Sequence, residues 1–209
     1  MYNLVKPLFV RAELLKRNIR VFTPRQLSII FHLNTFQTEY VIRKLVRDGL
    51  LKRLKPGTYT IKTDPPDEKE IANALYKPSY ISYDYALSYY QLIPEFVYQI
   101  TSATTKPTRL FTYDSLAFGY YTIKKDAYTG FVLKEEKGRT FYIAQPEKAV
   151  VDYLYALSLG YRGLLGQRTI NDRINKTSLS IEKIRHFAKL FAWRKLDELI
   201  QNTFLRAMT

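Results

Sequence analysis

The stretch from Thr35 to Arg47 constrains the fold more than any other part of the chain. At about 100° per residue, a helix over this stretch places apolar side chains on one arc and aromatic and basic side chains on the opposite arc. One face is therefore predicted to pack in a core and the other to face solvent. The packing arc comprises Val41, Ile42, Leu45 and Val46, and the opposite arc comprises Phe36, Gln37, Tyr40, Arg43, Lys44 and Arg47.

The residues around this helix predict a winged helix-turn-helix. Thr23 is suited to cap a shorter helix whose first residue is Pro24, and only two residues separate that helix from the next. Downstream, residues 51–61 predict a hairpin, the wing, that turns at Pro56-Gly57. An amphipathic helix over residues 8–17 completes a predicted three-helix core.

Positive charge is concentrated in the same region. Residues 1–62 contain 13 Lys and Arg against 3 Asp and Glu, whereas residues 63–209 contain 20 against 16. Such an excess attracts any polyanion, so charge alone predicts only phosphate affinity. Some winged helices are protein interaction modules, but the concentration of charge together with the helix-turn-helix pattern favours duplex DNA.

The helix over residues 35–47 is predicted to be the recognition helix in the major groove. Gln37 is a candidate partner for adenine and Arg43 for guanine. Thr35 is predicted as the N-cap, with backbone N–H groups of its turn directed at a phosphate. Phe36 and Tyr40 either contact a thymine methyl group or cover the wing, and both alternatives remain open. The predicted phosphate contacts are Lys44, Arg47, Lys52, Arg53 and Lys55.

A second domain is predicted over residues 63–209. Its boundary follows from residues 62–68, where a proline pair and acidic side chains are typical of a linker. The fold class is therefore predicted as α+β, with a winged helix-turn-helix over residues 1–62 followed by a mostly antiparallel sheet, covering helices and a C-terminal helical pair.

Several segments of this second domain have the patterns of helices and strands. Ser82 is predicted to cap a helix over residues 83–92, and residues 160–166 are predicted as a turn. An apolar stripe predicts that a helix over residues 147–158 covers the sheet, and amphipathic helices are expected over 181–191 and about 195–205. The predicted strands are 96–103, 109–113, 116–123, 130–133 and 140–144.

Three phrases behind the winged helix resemble the AbiEi family of antitoxins and transcriptional regulators from abortive-infection toxin–antitoxin operons. They span Tyr80 to Glu95, Val97 to Lys106 and Ala144 to Ala149, and they follow a wing that ends in Gly-Thr-Tyr. The resemblance implies an N-terminal domain that binds inverted repeats at its own promoter and represses transcription. It further implies a C-terminal domain that counteracts a partner toxin of the nucleotidyltransferase type in phage defence, with direct contact left open.

The residues do not predict an enzyme. His32 and His186 have no evident partner in the sequence, and no metal-ligand spacing occurs. Asp114 with Glu135-x-Lys137 loosely matches the arrangement by which some nucleases hold Mg²⁺, but an ordinary charged hairpin turn explains the same residues. We therefore expect no catalytic residue, no metal and no cofactor.

The remaining sequence features concern location and partners. No apolar run approaches the roughly 20 residues of a membrane span, the N-terminus lacks a signal-peptide core, and cysteine is absent. These features predict a cytoplasmic protein without membrane contact. We expect a monomer in solution or a dimer on double-stranded DNA. The alternative function is a transcription factor of another system, with a ligand-binding or protein-binding C-terminal domain.

Overall fold

The computed structural model describes residues 6–161 and 174–205, which form two compact units. The N-terminal unit contains residues 6–75 with 136–139, and the C-terminal unit contains the other described residues. The domain boundary after residue 62 stays a prediction. Of the turn predicted over 160–166, residues 162–166 lie outside the described residues.

The N-terminal unit has the predicted winged helix-turn-helix architecture. The capping box between Thr23 and Gln26 fixes the start of α2, because the side chain of each residue accepts from the backbone N–H of the other. The wing strands β2 and β3 pair antiparallel, and β1 adds a third strand to them in the order β1-β3-β2. The elements are α1 (Pro7–Lys16), β1 (Val21–Phe22), α2 (Pro24–Phe31), α3 (Thr35–Arg47), β2 (Leu51–Lys55), β3 (Thr58–Ile61) and α4 (Glu68–Leu75).

One residue of the predicted packing arc of α3 lies elsewhere. Val46 is 37% exposed, whereas Thr38, which was not part of the predicted packing arc, is buried. The buried positions Thr38, Val41, Ile42 and Leu45 follow the i, i+3, i+4, i+7 spacing of one helical face. Val41, Ile42 and Leu45 form one hydrophobic core with residues of α1, α2, β1, β2 and β3.

The C-terminal unit is built on a six-stranded sheet in the order β6-β7-β5-β4-β9-β8. The sheet is mixed, since β5 runs parallel to β7 and β4 parallel to β9, while β4–β5 and β6–β7 are antiparallel. The α+β fold class is thus confirmed. The strands are β4 (Ser79–Ile81), β5 (Ile100–Thr104), β6 (Arg109–Tyr113), β7 (Leu116–Thr122), β8 (Phe131–Glu136) and β9 (Arg139–Ala144).

Helix α6 is the centre of the helical layer. Its buried residues include Ala149, Val150, Tyr153 and Leu154 of the predicted apolar stripe, and α5, α7 and α8 pack against it. Leu157, the fifth residue of that stripe, is half-buried. In the described residues, no helix has the length and apolar character to cross a membrane. The helices are α5 (Tyr83–Tyr89), α6 (Pro146–Ser158), α7 (Ile181–Lys189) and α8 (Arg194–Ile200), which continues as π-helix over Gln201–Leu205.

Two sequence predictions in this unit are wrong. The strand predicted from residue 96 begins at Ile100, because Phe96 and Tyr98 are each 89% exposed and have no core to pack against. Ser82 precedes α5 as predicted but does not cap it with its side chain. Its hydroxyl is buried and donates to Asp152 of α6 instead.

Candidate nucleic-acid interface

The outer face of α3 presents a continuous exposed stripe. Phe36, Tyr40, Arg43 and Arg47 are all exposed, and their spacing of four, three and four residues keeps them on one side of the helix. Phe36 is 76% exposed and Tyr40 is 47% exposed, so neither ring is buried. The stripe is aromatic towards the N-terminus of α3 and basic towards its C-terminus, and it faces away from the core.

The basic residues of this face have few carboxylate partners that would neutralise their charge. Among the described residues, no carboxylate forms an ion pair with Arg43 or Lys44. Arg47 contacts Asp48 at 3.4 Å, but both side chains are solvent-accessible, where such a pair contributes little. Lys44 is half-buried at the side of the stripe, and the predicted face therefore has an exposed centre and a less exposed flank.

The N-terminus of α3 is capped by Asn34, and the prediction that Thr35 is the N-cap is wrong. The side chain of Asn34 accepts from the N–H of Gln37 at 2.9 Å, and the Gln37 carboxamide accepts from the N–H of Asn34 at 3.0 Å. Thr35 is instead the first helical residue. The first-turn N–H groups that this capping box leaves for a phosphate are those of Thr35 and Phe36.

The capping box also bears on the role of Gln37. Pairing with adenine uses the carboxamide oxygen and nitrogen together, and the oxygen already accepts from Asn34. The half-buried Gln37 side chain is thereby held at the start of α3. A contact between Gln37 and a base stays a prediction that requires this oxygen to accept a second hydrogen bond or to leave the cap.

We expect replacement of Asn34 by alanine to lower the free energy of unfolding of the N-terminal unit by about 1 kcal/mol, because the capping hydrogen bond is lost. Thr35→Ala is the matched control, and its effect should be less than half as large. Urea unfolding followed by circular dichroism measures both variants. An equal or larger effect of Thr35→Ala would contradict the assignment of Asn34 as the cap.

The sequence of this region matches a known family. Residues 12–62, from α1 through the wing, match the family model described as "Transcriptional regulator, AbiEi antitoxin". The match lies within the N-terminal unit. The match covers about a quarter of the chain, and none of the curated proteins with which the chain was compared matches it.

The wing carries three predicted phosphate contacts in different settings. Lys52 and Arg53 are exposed neighbours on β2. The register of β2 against β3 shifts between Arg53 and Lys55, as at a β-bulge, which redirects side chains. Lys55 is half-buried, and its ammonium donates to the carbonyl of Leu75 at the end of α4. A phosphate contact by Lys55 therefore competes with a hydrogen bond inside the N-terminal unit.

The nuclease-like residues of the C-terminal unit do not come together. Asp114 lies between β6 and β7, and Glu135 lies on β8. Strands β6 and β8 are the opposite edges of the six-stranded sheet, five strand spacings or about 24 Å apart. Within the described residues, no group of three or more acidic or histidine side chains is arranged to hold a metal ion.

Proposed function

We propose that this protein is a DNA-binding antitoxin that represses its own toxin–antitoxin operon and counteracts a partner toxin of the nucleotidyltransferase type. The observation that carries the proposal is the exposed stripe of α3, Phe36, Tyr40, Arg43 and Arg47, inside a domain that matches AbiEi regulators. The stripe supports α3 as the DNA-reading surface because it is exposed, aromatic and basic, and the family match supports a regulatory role in toxin–antitoxin systems.

In the proposed complex, α3 enters the major groove and the wing follows the backbone. Arg43, on the exposed stripe, binds the O6 and N7 atoms of a guanine, while Phe36 and Tyr40 contact thymine methyl groups. Lys44, Arg47, Lys52 and Arg53 bind phosphates and position the domain without reading sequence. Two copies read the two halves of an inverted repeat, so the protein is a dimer on DNA.

Binding to the protein's own upstream DNA tests the repressor role. The purified protein is titrated onto that fragment and onto a scrambled duplex of equal length, at about 50 mM and 200 mM salt, between which phosphate-driven binding weakens strongly. We expect a preference of about 1,000-fold for the upstream fragment that persists at the higher salt. Equal binding to both duplexes that disappears with salt would contradict sequence-specific repression.

Co-expression tests the antitoxin role separately. The toxin gene adjacent to the protein's own gene is expressed alone and together with the full-length protein, and growth is followed. Restored growth is the expected result. Growth arrest that persists despite upstream DNA binding would contradict the antitoxin role and leave a transcription factor of another system. The proposal places the protein in the cytoplasm with its promoter and requires no cofactor.

A further inference from the structure

A second basic region lies at one end of the sheet in the C-terminal unit. In the strand register, Ser79 of β4 faces Thr104 of β5, and Thr104 faces Thr122 of β7. Arg109, at the start of β6, faces Tyr120 near the same end of β7. The segments that enter or leave these four strands therefore meet at one end of the sheet, over about 14 Å.

This end of the sheet is strongly cationic. Residues 76–78, 104–111 and 122–126 contain five Lys or Arg and a single acid, Asp126. Lys77, Lys106 and Arg109 are exposed. In the part of the chain that the structure describes, no carboxylate forms an ion pair with Lys106 or Arg109. A polyanion is thus the ligand class that fits this surface by charge.

Aromatic rings lie directly beside these cations. The ammonium of Lys106 is 5.3 Å from the ring centroid of Tyr76. The guanidinium of Arg109 is 5.7 Å from the Tyr76 centroid and 5.9 Å from that of Phe111. Both rings are partly exposed, and the Tyr76 hydroxyl donates to the Pro107 carbonyl at 3.1 Å, which fixes the ring in place. We name Tyr76, Lys77, Lys106, Arg109 and Phe111 the basic–aromatic cluster.

We propose that the basic–aromatic cluster binds single-stranded nucleic acid, with its cations on phosphates and its rings and guanidinium stacked on unpaired bases. A duplex keeps its bases stacked on one another, so it would use only the charges of this surface. Fixed rings beside a basic surface instead fit a strand whose bases are accessible. This site is separate from α3 and does not depend on the proposed operator binding.

The test uses the full chain carrying Arg43→Ala and Lys44→Ala, so that α3 contributes little to binding. Fluorescence anisotropy compares single-stranded RNA and DNA of about 12 nucleotides, within the usual site size, with a scrambled duplex of equal length. We expect the single strands to bind more tightly than the duplex. If the duplex binds as tightly as the single strands or more tightly, the proposal is overturned. This outcome does not depend on whether the protein binds its upstream DNA.

Variants of the basic–aromatic cluster separate stacking from charge. Tyr76→Leu should weaken single-strand binding by about tenfold, as expected for the loss of one stacked base. Tyr76→Phe keeps the ring and loses only the hydrogen bond to Pro107, so it should weaken binding clearly less than Tyr76→Leu. Lys106→Ala with Arg109→Ala should also weaken binding and reduce the salt dependence by about 1.4 in log–log slope. Thermal denaturation establishes that each variant is folded.

Lys134→Ala is the matched control. Its ammonium lies 5.1 Å and 4.8 Å from the Tyr89 and Tyr90 ring centroids, so the variant removes one cation and the same kind of cation–ring contact. Lys134 is on β8, the edge of the sheet opposite β6, and its replacement should leave binding unchanged. Should Tyr76→Leu fail to fold, the exposed pair Lys106 and Arg109 decides, and binding that is unaffected by their replacement overturns the proposal.

Discussion

Replacing Arg43 and Lys44 together by alanine should lower the affinity for the upstream DNA by about 100-fold, because an arginine–guanine contact contributes about 1–3 kcal/mol and a phosphate contact adds to it. The salt dependence should fall by about 1 in log–log slope, since one phosphate contact is lost. Arg43 is exposed and neither residue belongs to the hydrophobic core, so unfolding should be unaffected. Anisotropy titrations and thermal denaturation measure the two effects.

Lys16→Ala with Arg17→Ala provides the matched control. This variant removes the same net charge from the same unit, but at the C-terminal end of α1 and outside the α3 stripe, where Arg17 pairs with Glu13. We expect its operator affinity to fall by less than about threefold, as for a loss of distant charge that salt screens. Equal losses of operator affinity in both variants would mean that the protein binds DNA through its net charge and not through the α3 face. Unchanged affinity after replacing Arg43 and Lys44 would exclude this face as the reading surface.

Much of the α3 face was predictable because a 13-residue amphipathic pattern leaves few alternatives. There is a physical reason why Thr38 is buried in the packing face and Val46 is not. The Thr38 hydroxyl donates to the Asn34 carbonyl at 2.8 Å, so its polar atom is satisfied within the helix and the side chain can be buried. A prediction that ranks side chains by hydropathy alone places Val46, and not Thr38, on the buried face.

Other features depended on information that a local pattern does not contain. Asn34 and Thr35 are both good capping residues, and only the spacing Asn34-x-x-Gln37, equivalent to Thr23-x-x-Gln26, favours the first. The acceptor for Lys55 is a carbonyl 20 residues away, which no local pattern identifies. The basic–aromatic cluster is spread over residues 76–111, and only the strand register brings its members to one end of the sheet.

The largest stability effect is expected at the ion pair between Lys148 and Asp152 in the C-terminal unit. Both side chains are fully buried, and the Asp152 carboxylate also accepts from the hydroxyls of Tyr80 at 2.9 Å and Ser82 at 2.7 Å. The pair therefore connects α6 to β4 and to the residue that follows it. Asp152→Asn should lower the free energy of unfolding by about 3–5 kcal/mol at neutral pH, because it leaves an uncompensated buried charge on Lys148.

The pH dependence identifies which charge is left behind. Burial lowers the pKa of Lys148, so in Asp152→Asn the unpaired amine loses its proton as pH rises, and the destabilisation relative to wild type should shrink towards alkaline pH. Burial raises the pKa of Asp152, so in Lys148→Met the unpaired carboxylate gains a proton as pH falls, and that destabilisation should shrink towards acidic pH. Urea unfolding at three pH values measures both trends.

A second helical pair separates burial from pairing. Arg194 and Glu198 on α8 also lie four residues apart, with their charged atoms 3.1 Å from one another, but their side chains are 91% and 56% exposed. Glu198→Ala should change the free energy of unfolding by no more than about 0.5 kcal/mol. The double variant Lys148→Met with Asp152→Asn should lose less free energy of unfolding than the sum of the two single losses, since neither charge is left unpaired. Additive losses, or parallel pH trends in the single variants, would contradict the assignment of this energy to the buried pair.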